Sequence, residues 1–178
     1  MYYFIIRGVI FQSQIDLPFI IFEYLSIIIL MSTKHRILFV CHGNICRSPM
    51  AEAVMKKMVH ERGLDDEFEI DSAATSLEAI GEDVYHKARI ELIKNGINGF
   101  SHISRRYRKD DYNHFDRIYV MDSNNMNNIL RITEDRDGKI QKLLKNRDIA
   151  DPWYTDDFDK AFSEIKKGCR DILDELVN

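Results

Sequence analysis

The chain has 178 residues, the length of one ordinary domain, and 45% of its residues are hydrophobic while 30% are charged. This balance excludes a disordered tail and a multi-span membrane protein, and a net charge of −4 gives no reason to expect a nucleic acid partner. Three cysteines without a scaffold-like spacing exclude a disulfide framework and indicate a reducing compartment, the cytoplasm, where a cysteine serves packing or reactivity.

Residues 1–30 differ in composition from the rest of the chain, because they are rich in Ile, Phe and Tyr and poor in charge. Residues 17–31 are short for a transmembrane helix and contain Glu23, and only Arg7 is basic near the start, which makes a poor signal peptide. We interpret residues 1–30 as an apolar extension outside the main domain: a start-codon artefact, a genuine peripheral segment, or a secretory or anchor segment. Membrane contact is expected only if this segment is genuine. The main domain is expected to span residues 31–178.

Beyond the extension, short strands alternate with amphipathic helices. The apolar run at 37–40 predicts a central parallel strand that is buried on both faces. A helix is predicted next, with Ser48 as its N-cap and Pro49 at the first helical position. It is expected to run to about Arg62, where Gly63 ends it.

The remaining elements follow the same alternation. In chain order they are a strand at 68–71, a helix at 84–95, a strand at 117–121, a helix at 123–131 and a helix at 157–177. In the helix at 84–95, Ala88, Leu92 and Ile93 are expected to face the core, and Gly96 to end it. Strand–helix alternation predicts a doubly wound parallel sheet that binds ligands at the carboxyl ends of its strands.

The segment between the first strand and the first helix carries the chemistry. Cys41 ends the strand, Gly43 lies in the loop, and Arg47 follows in Cys-x5-Arg spacing. Main-chain N–H groups of such a loop, at the positive end of a helix dipole, form an anion cradle that also stabilises a thiolate. Since Arg47 can hold two phosphate oxygens in a planar fork, the pattern indicates attack of the Cys41 sulfur on phosphorus.

A second segment, Asp151-Pro152-Trp153-Tyr154, offers a general acid. A departing phenolate or alkoxide needs a proton, and Asp151, biased to an extended conformation by Pro152, is the candidate donor. Trp153 and Tyr154 can wall a pocket for an aromatic substrate. Asp-Pro alone is more often a simple turn, so this interpretation depends on its pairing with Cys41.

These motifs closely resemble those of the low-molecular-weight protein tyrosine phosphatases, over essentially residue 34 to the carboxyl terminus. The resemblance rests on VCHGNICRSPMAEA at 40–53, DSAATS at 71–76, MD at 121–122 and DPWY at 151–154. It implies an α/β, flavodoxin-like, doubly wound fold with a four-stranded parallel sheet of order 2-1-3-4 and helices on both faces. It also implies hydrolysis of protein phosphotyrosine or aryl phosphate monoesters through a phosphocysteine intermediate, without metal or cofactor, and inhibition by phosphate-like oxyanions.

By motif position, the resemblance implies a role for each catalytic residue. Cys41 is the nucleophile, Arg47 the phosphate clamp, and Asp151 the general acid that later activates water. Ser48 donates a hydrogen bond that stabilises the thiolate as a leaving group. The residues expected to contact substrate are His42, Gly43, Asn44, Ile45, Cys46, Glu78, Trp153 and Tyr154.

The resemblance further implies loop support and a redox pair. Asn44 is expected to hold the loop in a strained shape through a network that reaches Ser72 and His102. Cys46 matches the second loop cysteine of the family, able to form a reversible disulfide with Cys41.

Three positions bear on the substrate. His42 stands at a loop position that is often apolar in eukaryotic members, and Glu78 stands where many members carry an aromatic wall residue. Ile45 favours phosphotyrosine, because relatives that act on phosphoarginine tend to have Thr at that position.

Two other functions stay open at this point. A thiol-coupled arsenate reductase of the same fold needs a further redox pair of cysteines, whereas Cys169 falls on the apolar stripe of the last helix and is expected to be core. A non-catalytic phosphotyrosine- or phosphate-binding module would use the same cradle without turnover. A zinc site at Cys41, His42 and Cys46 is disfavoured, because Arg47 would repel the cation.

Overall fold

The computed structural model describes the backbone of residues 2–6 and 9–13, and residues 34–177. The chain forms two compact units, residues 1–33 and 34–178. In the first unit, β1 (Tyr2–Ile6) and β2 (Val9–Ser13) pair antiparallel, with Tyr2 opposite Ser13. The predictions made for residues 17–31 fall outside the described residues.

The second unit is built around one parallel sheet. Its elements, in chain order, are β3 (His35–Cys41), α1 (Arg47–Glu61), a 3-10 turn (Asp65–Glu67), β4 (Phe68–Ala74), α2 (His86–Lys94), α3 (Lys109–His114), β5 (Arg117–Val120), α4 (Ser123–Leu130), β6 (Ile140–Lys142), α5 (Pro152–Thr155) and α6 (Phe158–Val177). The strand order is β4-β3-β5-β6 with every pair parallel, which confirms the predicted order 2-1-3-4. Among the described helices, none is long and apolar enough to cross a membrane.

The central strand β3 separates two apolar cores. Because side chains alternate along a strand, Ile37 and Phe39 pack in the core that α1, α2 and α6 cover, while Leu38 and Val40 pack in the core on the opposite face. All four side chains are fully buried, as predicted. Burial on both faces fixes the register of β3 and brings Cys41, its last residue, to the carboxyl edge of the sheet.

Helix α1 begins earlier than predicted, and the prediction of Ser48 as its N-cap is wrong. Cys46 is the N-cap, and Ser48 lies in the first turn, where its hydroxyl contacts Cys41 instead of capping the helix. Pro49 is therefore the third helical residue, a position whose N–H has no intrahelical partner in any helix. The predicted end is confirmed, because Gly63 adopts a φ of 70° just after the last turn.

Helix α2 is shorter than predicted, and its inward face differs by one residue. Ala88 and Leu92 are buried as predicted, but Ile93 is 52% exposed. The inward position belongs instead to Glu91, whose carboxylate accepts hydrogen bonds from Asn95 and Lys94. Residues 88, 91 and 92 share one helical face, and the next residue turns 100° away from it.

Candidate active site

The predicted loop lies at the carboxyl end of β3, between the strand and α1. We call residues 41–48 the Cys41 loop. The Cys41 sulfur accepts a hydrogen bond from the Asn44 main-chain N–H at 3.3 Å and lies 3.0 Å from the Ser48 hydroxyl oxygen. The first helical turn of α1 begins at Arg47, so the sulfur faces the positive end of the helix dipole.

A pocket of about 220 Å³ opens over this sulfur. It is lined by Cys41, His42, Gly43, Ile45, Cys46, Arg47, Glu78, Ala79, Glu82, Asp151, Trp153 and Tyr154. The structure therefore brings together ten of the residues singled out from the sequence, and adds Ala79 and Glu82. Asn44 and Ser48 of the Cys41 loop do not line the pocket, and neither do Ser72 and His102, but all four belong to one hydrogen-bond network.

Arg47 is fixed at the pocket by three partners from two other segments of the chain. Its Nη1 donates to Asp122 at 2.5 Å and to the Ile149 carbonyl at 3.0 Å, and its Nη2 donates to Asp151. Burial lowers the pKa of the guanidinium, but Cys41, Asp151 and Asp122 outweigh burial and raise it. The side chain is only 2% exposed, and within the described residues its buried Nε has no hydrogen-bond partner. A charged donor is thus held in place at the pocket, and the hydrogen bonds given above leave its Nε hydrogen and one Nη2 hydrogen unused.

Asn44 sets the direction of the hydrogen bonds beneath the loop. Its backbone adopts a φ of 55°, a left-handed conformation that asparagine tolerates better than most residues. Its Oδ1 accepts from the Arg105 main-chain N–H at 3.0 Å, so its Nδ2 must donate, and it does so to Ser48 at 2.9 Å and Ser72 at 2.8 Å. The Ser48 oxygen thus accepts a hydrogen bond from Asn44, and its own hydrogen remains available for donation to the sulfur 3.0 Å away.

The network ends on a buried carboxylate that sequence analysis missed. The Ser72 hydroxyl donates to Glu52 at 2.6 Å, and His102 Nδ1 lies 3.6 Å from the same carboxylate while its Nε2 donates to the Asn44 carbonyl at 2.8 Å. Burial raises the pKa of Glu52, but contacts with His102, Lys56 and Ser72 lower it below its ordinary value. Glu52 therefore remains a hydrogen-bond acceptor and fixes the direction of the hydrogen bonds that lead to it from Asn44 through Ser72.

Asp151 is the N-cap of a short helix rather than part of a plain loop. One carboxylate oxygen accepts from the Trp153 main-chain N–H at 3.1 Å, and the other accepts from Arg47. Trp153 packs edge-on against Tyr85 with ring centroids 5.0 Å apart, while Tyr154 stays largely exposed. The carboxylate and the two aromatic side chains thus form one side of the pocket.

The opposite side of the pocket is tied to the Cys41 loop. His42 Nε2 lies 2.9 Å from a Glu78 carboxylate oxygen, and the Ser76 main-chain N–H donates to the His42 carbonyl at 2.9 Å. The Ser104 hydroxyl donates to the Gly43 carbonyl at 2.9 Å. The segments that follow β4 are therefore hydrogen-bonded to the loop at several points.

The other two cysteines are buried and reduced. Burial, reinforced by Cys41 and Asp151, raises the pKa of the Cys46 thiol. Burial also raises the pKa of Cys169, which is fully inside the core as predicted and donates to the Ala51 carbonyl at 3.6 Å. In the part of the chain that the structure describes, no three His, Cys, Asp or Glu side chains are grouped so as to hold a metal ion.

Two acidic residues of this network carried only weak signals in the sequence. Asp122 was noted only as part of the MD motif, although its position two residues after β5, at the edge where ligands bind, could have marked it as a site residue. Glu52 lies within the amphipathic helix α1, where a glutamate is usually solvent-exposed, so periodicity does not single it out.

Comparison with known proteins agrees with this geometry. Residues 36–178 match the family described as low molecular weight phosphotyrosine protein phosphatase. A low molecular weight protein-tyrosine-phosphatase, PtpA, from Staphylococcus epidermidis is 36% identical over 78% of this chain and 92% of its own length. The low molecular weight phosphotyrosine protein phosphatase of Gallus gallus is 37% identical over 78% of this chain and 94% of its own.

A solved structure extends the agreement to the fold. The low molecular weight protein tyrosine phosphatase SP-PTP of Streptococcus pyogenes superposes with a TM-score of 0.74 at 37% identity, covering 80% of this chain and 93% of that one. With a family match over most of its length, and relatives of this kind, the chain belongs to the low molecular weight phosphotyrosine protein phosphatase family.

Proposed function

We propose that this protein hydrolyses phosphotyrosine in proteins, and aryl phosphate monoesters, through a phosphocysteine intermediate. The observation that carries the proposal is the convergence of three groups on one pocket: the Cys41 sulfur, the Arg47 guanidinium and the Asp151 carboxyl group. They are a nucleophile, a phosphate-binding cation and a proton donor, the parts that phosphate monoester cleavage requires.

In the first step, the Cys41 thiolate attacks phosphorus and the bond from phosphorus to the phenolic oxygen breaks. Arg47 holds two of the non-bridging oxygens, and main-chain N–H groups of the Cys41 loop hold the developing charge. Asp151 transfers its proton to the departing oxygen, so the products of the step are a neutral phenol and phosphocysteine. The spare Nε of Arg47 supports this role, because it supplies a donor that no described residue uses.

In the second step, water attacks the phosphocysteine and the bond from sulfur to phosphorus breaks. Asp151, now ionised, accepts a proton from the water, and inorganic phosphate is released. Cys41 leaves as a thiolate, which Ser48 stabilises by hydrogen bonding. The contact of 3.0 Å between the two side chains supports this role for Ser48, as does the hydrogen bond from Asn44 that leaves the Ser48 hydrogen available.

The walls of the pocket favour an aromatic substrate. Ile45, Trp153 and Tyr154 supply apolar contact surface for a phenyl ring on different sides of the pocket. We propose His42, Gly43, Cys46 and Glu78 as the remaining substrate-contacting positions, and Asn44, which does not line the pocket, joins Ser72 and His102 in support of the loop. The long side chain of phosphotyrosine extends further into such a pocket than the short side chain of phosphoserine.

The alternatives find less support. Arsenate reduction by this fold needs an accessible resolving cysteine, and Cys169 is fully buried in the core. Asp151 contacts Arg47, the proposed phosphate-binding arginine. A module that only binds phosphate does not need an acidic side chain at that position. We further propose that residues 31–178 form the catalytic domain, that residues 1–30 lie outside it, and that the protein acts in the cytoplasm with its thiols reduced.

Three variants test the mechanism with p-nitrophenyl phosphate, phenyl phosphate and a phosphotyrosine peptide. Cys41→Ser is expected to abolish turnover while the protein still binds vanadate or phosphate. Asp151→Asn is expected to slow the first step by about 10²–10⁴-fold, most strongly for phenyl phosphate, whose leaving group needs the proton. A matched control is Asp156→Asn, an exposed neighbour paired with Lys87, which should stay within about twofold of the wild type.

The results discriminate between the candidates. Substantial turnover by Cys41→Ser contradicts the covalent mechanism. Arsenate-dependent consumption of thiol by the wild type would favour the reductase, and lack of turnover on every phosphate ester would leave only a binding module. A polypeptide beginning at Met31 is expected to keep the kcat/KM of the whole chain.

A further inference from the structure

The mouth of the pocket is acidic. Apart from Cys41, Arg47 and Asp151, which belong to the catalytic machinery proposed above, the lining contains two carboxylates, Glu78 and Glu82, and the imidazole of His42. Within the residues that the structure describes, the lining contains no lysine and no second arginine. The entrance therefore carries the negative charge of two glutamates, whereas the floor of the pocket carries the positive charge of Arg47.

Both glutamates are held in place by the segments that carry them. Glu78 is 78% exposed, and its main-chain N–H donates to the Ser76 hydroxyl at 3.2 Å while its carboxylate contacts His42. The Glu82 carbonyl accepts from the Ser104 main-chain N–H at 2.8 Å, and Ser104 is itself hydrogen-bonded to the Cys41 loop. The two solvent-facing carboxylates at the entrance are thus carried by segments whose backbones are hydrogen-bonded to the rest of the domain.

A peptide that inserts its phosphotyrosine into the pocket must cross this entrance with the residues beside the phosphotyrosine. Carboxylates at the entrance attract a lysine or arginine at those positions and repel an aspartate or glutamate. Each contact is solvent-exposed and therefore weak, but exchanging lysine for glutamate in the peptide reverses the sign of both contacts at once.

We infer that Glu78 and Glu82 determine substrate specificity, and that the preferred substrates are phosphotyrosine segments with a lysine or arginine next to the phosphotyrosine. The inference rests on the proposed function, since it describes selection at the same pocket. His42 positions Glu78 through the 2.9 Å contact. The two glutamates act on the binding of the peptide and take no part in bond cleavage.

The test compares kcat/KM for two phosphotyrosine peptides that differ only in having lysine or glutamate on both sides of the phosphotyrosine. At low ionic strength, the wild type is expected to prefer the lysine peptide by about fivefold or more. The preference should shrink towards unity as sodium chloride is raised to about 0.5 M, where the screening length falls to a few ångströms. This salt measurement needs no variant.

Glu78→Gln and Glu82→Gln, singly and combined, locate the selection. Glutamine keeps the length of the side chain and its hydrogen bond to His42, so only the charge changes. The double variant is expected to lower the preference to less than twofold. The matched control is Glu67→Gln, which removes the same charge from an exposed residue just before β4, about 20 Å away at the other end of that strand. It should keep the full preference.

The outcomes separate the two claims. A wild type that hydrolyses neither peptide overturns the proposed function. A wild type that hydrolyses both peptides equally well, or a double variant that keeps the wild-type preference, overturns the inference and leaves the proposed function standing. A preference that is insensitive to salt also overturns it, because the contacts proposed are electrostatic.

Discussion

Glu52 offers the sharpest test of how the network beneath the Cys41 loop works. The residue is only 4% exposed, its carboxylate accepts a hydrogen bond from Ser72 at 2.6 Å, and it forms an ion pair with Lys56 at 2.5 Å. The substitution Glu52→Gln keeps the shape and the acceptor oxygen but removes the charge. What is lost is therefore the charge contribution alone.

The size of the effect follows from these contacts. A hydrogen bond to a charged acceptor is worth about twice a neutral one, so about 1 kcal/mol is lost at Ser72. Lys56 is about half exposed and contributes about 0.5 kcal/mol as an i,i+4 pair, and the charge on Glu52 also stabilises His102 nearby. We expect Glu52→Gln to lower the free energy of unfolding by about 2 kcal/mol at pH 7.

The same contacts predict a pH dependence. Because the pKa of Glu52 is lower in the folded protein than in the unfolded chain, its contribution is fully present above the ordinary glutamate pKa of about 4.3. It is lost as the pH falls through the lowered folded value. The gap between wild type and variant should therefore be constant from pH 7 to about pH 5 and shrink below about pH 4.

Urea unfolding of wild type, Glu52→Gln and the exposed control Glu67→Gln at pH 7, 5 and 3.5 measures this gap. The control is expected to differ from wild type by less than about 0.5 kcal/mol throughout. A Glu52 variant no less stable than the control at pH 7, or one whose deficit grows on acidification, would refute the reasoning.

Two further predictions concern tight positions in the domain. Gly168→Ala would place a Cβ 2.7 Å from the Leu143 side chain, so we expect a loss of about 1–3 kcal/mol in urea unfolding, and an unchanged midpoint would contradict the close packing. Asn44→Gly keeps the φ of 55° but removes the network, whereas Asn44→Ala also strains the backbone. Both should lower kcat on p-nitrophenyl phosphate by at least about tenfold, with Ala the worse of the two; a Gly variant as active as wild type would show that the side-chain hydrogen bonds are dispensable.

Much of the fold was predictable because burial on both faces leaves a clear pattern. The run at 37–40 is apolar at every buried position, the last helix is apolar at most of them, with Glu164 as an exception, and both elements were found close to their observed bounds. The resemblance supplied the strand order, but the fourth strand, Ile140–Lys142, was not located from the residues. It has three residues and only Ile140 is buried, so it carries no readable periodicity.

The site was predictable in its residue types and less so in its local geometry. Ser48 has a side chain typical of an N-cap, but its hydroxyl is engaged by Asn44 and Cys41, and the helix starts before it. Such a tertiary contact between residues of one loop leaves no trace in capping statistics. The roles of Glu82 and Asp122 depend on segments about 35 residues or more away in the chain meeting at the Cys41 loop, which local patterns do not report.

The pairing of α1 with α6 has a consequence for how the chain is made. The Cys169 sulfur touches the Ala51 carbonyl across 118 residues of sequence, and the apolar face of α1 is covered by α6. A nascent chain in which α1 has emerged from the ribosome but α6 has not exposes that face, and chaperones can bind it during this interval. Ribosome-bound chains stalled before Phe158 should accordingly be far more sensitive to protease than chains stalled after α6 has emerged.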